Sequence, residues 1–187
     1  MIILVNGPPR CGKDTFINIA KKNLSSSVAY ATGKILKDVI KTIYNLDHHT
    51  IKLLEECKED KAPQLGGYSY RQAQIDVFHW LEERHGPDVL VTLSKKAIQG
   101  LIARYILIDV GRQAEADAYQ QEFGYTNTCL VTIERPNCTF EGDSREEVKR
   151  PLPGGFIHQS HINNQYDLEL YELQCLRVLK KWEFINE

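Results

Sequence analysis

Residues 2–6 (Ile-Ile-Leu-Val-Asn) form an unbroken apolar run that stops at an amide, the pattern of a strand buried on both faces of a parallel sheet. A helical rhythm follows. From residue 13 to about 23, Phe16, Ile17 and Ala20 fall on one side, so a turn joins the first strand directly to a helix. Residues 34–44 set Ile35, Leu36, Val39, Ile40 and Ile43 on one face of an amphipathic helix whose opposite face is basic. Further helices are predicted at about 49–58, 70–84 and 87–103, the last two divided by His85-Gly86-Pro87, a glycine stop followed by a proline start. Between 60 and 70, Pro63 and Gly66-Gly67 predict a mobile connection. Ile75, Phe78 and Trp80 are assigned to core.

The strand rhythm then returns. Residues 104–109 (RYILID) predict a buried strand ending in a carboxylate, 112–123 a helix stopped by Gly124, and 128–134 another strand. The stretch 135–155 is polar, carries Pro136, Pro151 and Pro153, and reads as a loop or small lid. Residues 157–162 suit a last strand and 168–182 an amphipathic closing helix. Strands alternating with helices predict an α/β fold, a parallel sheet with helices on both faces.

Composition narrows the function classes. At 187 residues one domain with a full core is expected, and no apolar run approaches the roughly 20 residues that span a bilayer. The apolar start has no basic leader or small-residue cleavage site, so it reads as a strand and a cytoplasmic location is expected. Five cysteines, at 11, 57, 129, 138 and 175, are odd in number and form no CxxC pair, which favours reduced thiols. A net charge of -2 gives no blanket attraction for nucleic acid, so a polynucleotide partner is disfavoured. His48-His49 and His158-x-x-His161 lack a third ligand, which argues against zinc.

The chemistry concentrates in Gly7-Pro8-Pro9-Arg10-Cys11-Gly12-Lys13-Asp14-Thr15. The spacing GxxxxGK, after a buried strand and before a helix, is that of a phosphate loop. Gly7 and Gly12 let backbone N–H groups converge on an anion at the helix N-terminus, and Lys13 reaches the β- and γ-phosphates of ATP. The residue after the lysine ordinarily supplies a hydroxyl to Mg²⁺; here it is Asp14, either a hard oxygen ligand for Mg²⁺, directly or through water, or a favourable anion capping the helix start. Thr15 offers a hydroxyl to a phosphate. Cys11 lies in an anion-binding loop, an environment expected to lower a thiol pKa, although no histidine stands beside it in sequence to form a nucleophile pair.

The stretch GKDT is similar to the phosphate loop of the tailed-phage deoxynucleoside monophosphate kinases and of the related animal-type phosphomevalonate kinases. YILIDVGRQAEADAYQQEFGYTNTCLVTIERP resembles that family's strand, Asp-to-Arg turn, helix, Gly, strand and Arg-Pro, and IDVGRQAEADA is also similar to the DGFPR region of adenylate kinases. SYRQAQIDVFHWLEERHGPDVLV resembles the acceptor-side helix that begins with an arginine, and NCTFEGDSREEV resembles a lid. The likeness spans most of the chain. It implies a P-loop three-layer domain over 1–187 with an acceptor-binding helical segment at about 33–103 and a lid at about 135–155. It also implies MgATP-dependent phosphorylation of a small phosphate-bearing acceptor, a deoxynucleoside monophosphate first of all. Such a protein works in the cytoplasm, of the host if phage-encoded, binds neither membrane nor polynucleotide, and admits a homodimer.

Phosphoryl transfer needs in-line positioning and cations around the moving group. Arg10 in the loop and Arg145 in Asp143-Ser144-Arg145 suit that need, since a guanidinium presents a fork of donors to phosphate oxygens. Lys149 and Arg150 either assist or belong to a solvated charged loop. Asp109, at the carboxyl end of its strand, either holds Mg²⁺ through water, orients Arg112, or caps the next helix. By resemblance Arg71, Arg112 and, more weakly, Gln113 contact the acceptor phosphate, and Arg135 packs on adenine. Asn163 and Asn164 either face the adenine edge or form a simple turn. A kinase of another phosphorylated metabolite, such as phosphomevalonate, and a non-catalytic ATP-binding regulatory module are the alternatives.

Overall fold

A computed structural model describes residues 1–149 and 155–185. The chain divides into two compact units, Met1–Ala31 with Lys95–Glu187, and Thr32–Ser94.

In the first unit, five parallel strands form one sheet in the order β2-β3-β1-β4-β5. These are β1 (Ile2–Asn6), β2 (Ser27–Tyr30), β3 (Tyr105–Asp109), β4 (Thr128–Glu134) and β5 (His158–Asn163). Side chains alternate between faces along each strand. Ile3, Val5, Leu107, Val131 and Ile133 face α1 (Lys13–Asn23) and α7 (Leu168–Lys181), where they meet Phe16, Ala20, Tyr171, Cys175 and Leu179 in one core. The alternate residues Ile2, Leu4, Ile106, Ile108 and Leu130 are buried on the other side, where α6 (Gln113–Phe123) packs on β4 through a helix that buries Ala116 and Tyr119. The result is a three-layer α/β fold with an all-parallel sheet.

Strand β1 is central, and the chain leaves it for β2 on one side but crosses it from β3 to β4 on the other. Its carboxyl end is therefore the point where the winding reverses, the place where open α/β sheets bind ligands. Because all five strands run the same way, the residues following Asn6, Asp109, Glu134 and Asn163 gather at a single edge.

Strand β2 has no counterpart among the elements expected from the sequence. It is a four-residue edge strand, Ser-Val-Ala-Tyr, half-exposed along its length, so its apolar signal is too weak to mark it: Val28 and Tyr30 are only partly buried. Strands β1 and β4 and helix α1 keep their expected bounds, and the other boundaries differ by at most four residues, the usual consequence of frayed ends.

The second unit is helical: α2 (Lys34–Ile43), α3 (His48–Glu56), α4 (Tyr70–His85) and the start of α5 (Val89–Gln99), around Ile40, Leu54, Leu65, Tyr70, Val77, Phe78 and Leu81. Four expectations are corrected. Trp80 is 50% exposed, because the buried stripe of α4 runs through Ala73, Val77, Phe78 and Leu81 and leaves it on the flank, where the Arg84 guanidinium lies 5.1 Å from its ring centre. Ile43, the last residue of α2, is exposed, and Ile75 is only half-buried. The connection from 60 to 70 is a built loop: Pro63–Leu65 make a 3₁₀ turn with Leu65 buried, and the Ala62 N–H donates to Tyr68 at 3.0 Å. Among the described residues no helix is long and apolar enough to cross a membrane.

Candidate functional site

The loop from Gly7 to Lys13 closes over the end of β1, and its shape depends on bare backbone at two points. A Cβ on Gly7 would collide with the Ile133 carbonyl oxygen and lie 2.6 Å from Cys11 Sγ. Gly12, at φ 109, would place a Cβ 2.7 Å from Asn164 Nδ2. Arg10 takes a left-handed φ of 63, which a residue with a side chain adopts only when its surroundings enforce it.

The enforcing bonds come from far along the chain. Arg135 Nη1 donates to the Arg10 carbonyl at 3.0 Å, Asn164 Nδ2 to the Cys11 carbonyl at 2.8 Å, and the Tyr171 hydroxyl to the Gly12 carbonyl at 2.9 Å. In a trans peptide the N–H points opposite to the preceding C=O. The Cys11 N–H donates to the Pro8 carbonyl at 3.4 Å, while the ties on the Cys11 and Gly12 carbonyls turn the N–H groups of Gly12 and Lys13 to the opposite side, at the N-terminus of α1. Lys13 is buried, and its ammonium donates to the Gly7 and Pro8 carbonyls at 2.7 and 2.9 Å. Cys11 is fully buried in this frame, and burial pushes its thiol up, against the expected fall, although Lys13 pulls the other way.

Asp109 ends β3 beside the loop. Its Oδ2 lies 3.9 Å from Arg145 Nη1, while its Oδ1 is buried without a hydrogen-bond partner among the described residues. Burial raises its pKa; Lys13 and Arg145 oppose that rise, and Asp14 and Asp143 add to it. It does not cap a helix, because α6 begins at Gln113 with Arg112 in the cap position. Nor does Asp14: the cap position of α1 is Gly12, and Asp14 sits exposed in the first turn, where its charge is favourable. Thr15 is half-buried on the same turn.

Among the described residues no group of three or more His, Cys, Asp or Glu could hold a metal ion. The two carboxylates of Asp14 and Asp109, with the orphaned Asp109 oxygen, do fit a hard cation of the Mg²⁺ kind, which takes one or two protein carboxylates and completes its shell with phosphate and water.

Behind Asp109 the site is stitched by residues the sequence did not single out. Asn6 is fully buried; its amide donates to the Val110 and Glu146 carbonyls at 3.0 and 3.1 Å and accepts from the Val148 N–H at 3.0 Å, which fixes the 146–148 segment against the end of β1. Glu115, also buried, accepts from the Gly111 N–H at 2.9 Å and pairs with Arg112 at 3.4 Å; burial raises its pKa, and the Gly111 bond and Arg112 restrain the rise. Gln113 donates to Asp117 at 2.7 Å and accepts from the Lys149 N–H at 3.0 Å. The Lys149 ammonium pairs with Glu147 at 3.4 Å, and Arg150 lies outside the described residues, as do 151–154 of the expected lid.

Arg135 lies with its guanidinium carbon 3.8 Å from the centre of the Tyr166 ring, and Tyr166 is anchored by its hydroxyl to the Pro136 carbonyl at 2.6 Å. A cleft of about 360 Å³ opens alongside, lined by Pro8, Glu134, Arg135, Cys138 and Asn163 among others. Asn164 is buried and clamps the loop, and Tyr166 N–H donates to its Oδ1 at 3.2 Å, so it serves as both brace and turn.

The first unit thus brings together Gly7, Arg10, Gly12, Lys13, Asp14, Thr15, Asp109, Arg112, Gln113, Arg135 and Arg145. Arg71 belongs to the helical unit, where its Nε pairs with Glu59 at 2.8 Å. A polar residue closing an apolar strand was the only mark on Asn6, and nothing local marks Asn164 or Tyr171 as loop braces.

Among solved structures, the chain is similar to an unliganded sugar kinase from Janibacter sp. HTCC2649, with 10% identity, 100% of this chain and 98% of that chain covered, and a TM-score of 0.45. No protein-family model and no curated protein matches it.

Proposed function

We propose that the chain is a P-loop kinase of the nucleoside monophosphate kinase type, which transfers the γ-phosphoryl group of MgATP to a (deoxy)nucleoside monophosphate and yields the diphosphate. The observation that carries this reading is the phosphate loop at the end of β1, with the carbonyls of residues 10, 11 and 12 tied outward and Lys13 buried at its mouth. A loop whose backbone is held in place before a polyphosphate arrives stabilises developing charge with little reorganisation beyond the release of Lys13 from its carbonyl partners.

Lys13 exchanges the Gly7 and Pro8 carbonyls for β- and γ-phosphate oxygens. Asp14 and Asp109 would hold Mg²⁺, which when bound would neutralise charge on the phosphate oxygens, and Thr15 offers its hydroxyl to a phosphate. Arg10 and Arg145 take up charge on the transferred group, and Arg135, backed by Tyr166, offers a flat cationic surface to adenine. Arg112 and Gln113 are assigned to the acceptor phosphate, and Arg71, in the helical unit, is assigned to acceptor binding by resemblance alone.

The test is a coupled ADP-release assay with MgATP and a panel of deoxy- and ribonucleoside monophosphates, with phosphomevalonate and no-acceptor controls. Turnover with one or a few nucleotides is the expected result and names the base preference. Turnover with phosphomevalonate alone reassigns the acceptor, and ATP binding without any acceptor-dependent turnover rejects the kinase in favour of a regulatory ATP-binding module.

A further inference from the structure

We propose that Asp143 is a positioning residue for phosphoryl transfer, gripping Arg145 so that only its Nη1 corner is presented to Asp109 and the phosphate loop; this rests on the kinase reading above. The grip is two-pronged: Arg145 Nε donates to Asp143 Oδ1 at 2.9 Å and Nη2 to Oδ2 at 3.0 Å. The same Oδ1 accepts the Arg145 backbone N–H at 3.0 Å, so one carboxylate fixes both the chain and the guanidinium plane. Bidentate pairing sets the orientation of a guanidinium as no single bond can. The Asp143 side chain is only 8% exposed, which keeps water from competing for the pair.

The floor under the arginine is as specific as the grip. Gly111 lies beneath its stem, and a Cβ there would stand 2.7 Å from Arg145 Cγ and 3.0 Å from Cδ. The Gly111 carbonyl in turn accepts the Glu146 N–H at 2.7 Å, which ties the residue after Arg145 to the same spot. With Nε and Nη2 engaged on one edge, Nη1 remains, 3.9 Å from Asp109 Oδ2 and too far for a hydrogen bond. A phosphate oxygen entering that gap meets a donor already aimed. Burial alone would lower the arginine's pKa, but the bonds to Asp143 and the nearby Asp109 hold it above its usual value, so the guanidinium stays charged.

Two readouts test this with Asp143→Asn, which keeps the shape and one acceptor oxygen. The first is kcat with the preferred acceptor: a fall of about tenfold or more is expected, with the KM for ATP changed by less than about threefold, and Gly111→Ala should do the same. Guanidinium added to Arg145→Ala should restore part of the turnover, and should fail to do so in the Asp143→Ala/Arg145→Ala double variant. Wild-type kcat in Asp143→Asn, or equal rescue of the single and double variants, overturns the proposal. The second readout needs no turnover: the ratio of ATP to ADP affinity, measured by calorimetry in the wild type, Asp143→Asn and Arg145→Ala. Both variants should shrink that ratio alike; an unchanged ratio in Asp143→Asn overturns the positioning role even if the acceptor assay has rejected the kinase. Thermal melts of each variant separate misfolding from misplacement.

Discussion

Around the loop from Gly7 to Lys13, the polar bonds that brace the backbone join residues 125, 153 and 159 positions apart; those made by Asn164 and Tyr171 are buried or half-buried, and that made by Arg135 is exposed. In the helical unit they are short and exposed: Asp47 caps α3 from three residues away, Ser69 caps α4 likewise, and Glu59 reaches Arg71 across twelve. Exposed local pairs contribute little to stability and are replaced by water at small cost, whereas a buried donor that loses its acceptor bears the full desolvation penalty. One region is therefore built to hold a fixed geometry, and the other can exchange its surface partners for a ligand. Tyr70 is the exception in the helical unit: its hydroxyl is buried without a partner among the described residues, and burial next to Glu55 and Asp38 pushes it up to about 12.

The contrast can be broken at its strong end first. Lys13→Ala should lower turnover by about a thousandfold, the scale of losing a preorganised charge, in the acceptor assay; retained turnover removes the loop from the chemistry. Gly12→Ala comes next, because a side chain at φ 109 pressing on Asn164 costs about 1–3 kcal/mol. In ATP affinity that is about ten- to a hundredfold, measurable by calorimetry. In the helical unit, Arg71→Ala should raise the acceptor KM about tenfold while leaving that of ATP nearly unchanged, since a charge-assisted bond is worth about 1.5–3 kcal/mol; equal effects on both would contradict its assignment.

Asp109→Asn sharpens the comparison through pH. The native pKa of Asp109 is raised above 3.8, so the folded state holds the proton more tightly than the unfolded chain, and ionisation costs stability as pH rises from 3.8 through the raised value. The variant should melt above the wild type at neutral pH while losing activity, and the gain should vanish as pH falls towards 3.8. A constant difference across pH would mean that packing, not charge, is responsible. Smallest of all, Glu59→Gln should shift stability by less than about 0.5 kcal/mol in a denaturant melt, because its partner Arg71 is a surface pair.

The split also explains what could be read along the chain. Strand β1 carries an unbroken apolar run and β4 a mostly apolar one, so both were legible from their pattern, and the GxxxxGK spacing marked the loop after β1. Local burial could not reveal Asn6, Glu115, Asn164 or Tyr171, whose partners in the site are set by the winding of the sheet rather than by neighbours in sequence. Cys11 shows the same limit in reverse: its position in the loop suggested a lowered thiol pKa, but the core formed by α7 and the sheet closes over it and burial raises it instead. Trp80 was misplaced because an aromatic in a helix reads as core until the direction of the buried stripe is known.

Asn164 and Tyr171 carry one more implication, for synthesis of the chain. The groups that brace the loop are made 153 and 159 residues after the carbonyls they hold. A nascent chain that has completed β1 and α1 still lacks both clamps, so the loop reaches its final shape only once β5 and α7 are in place.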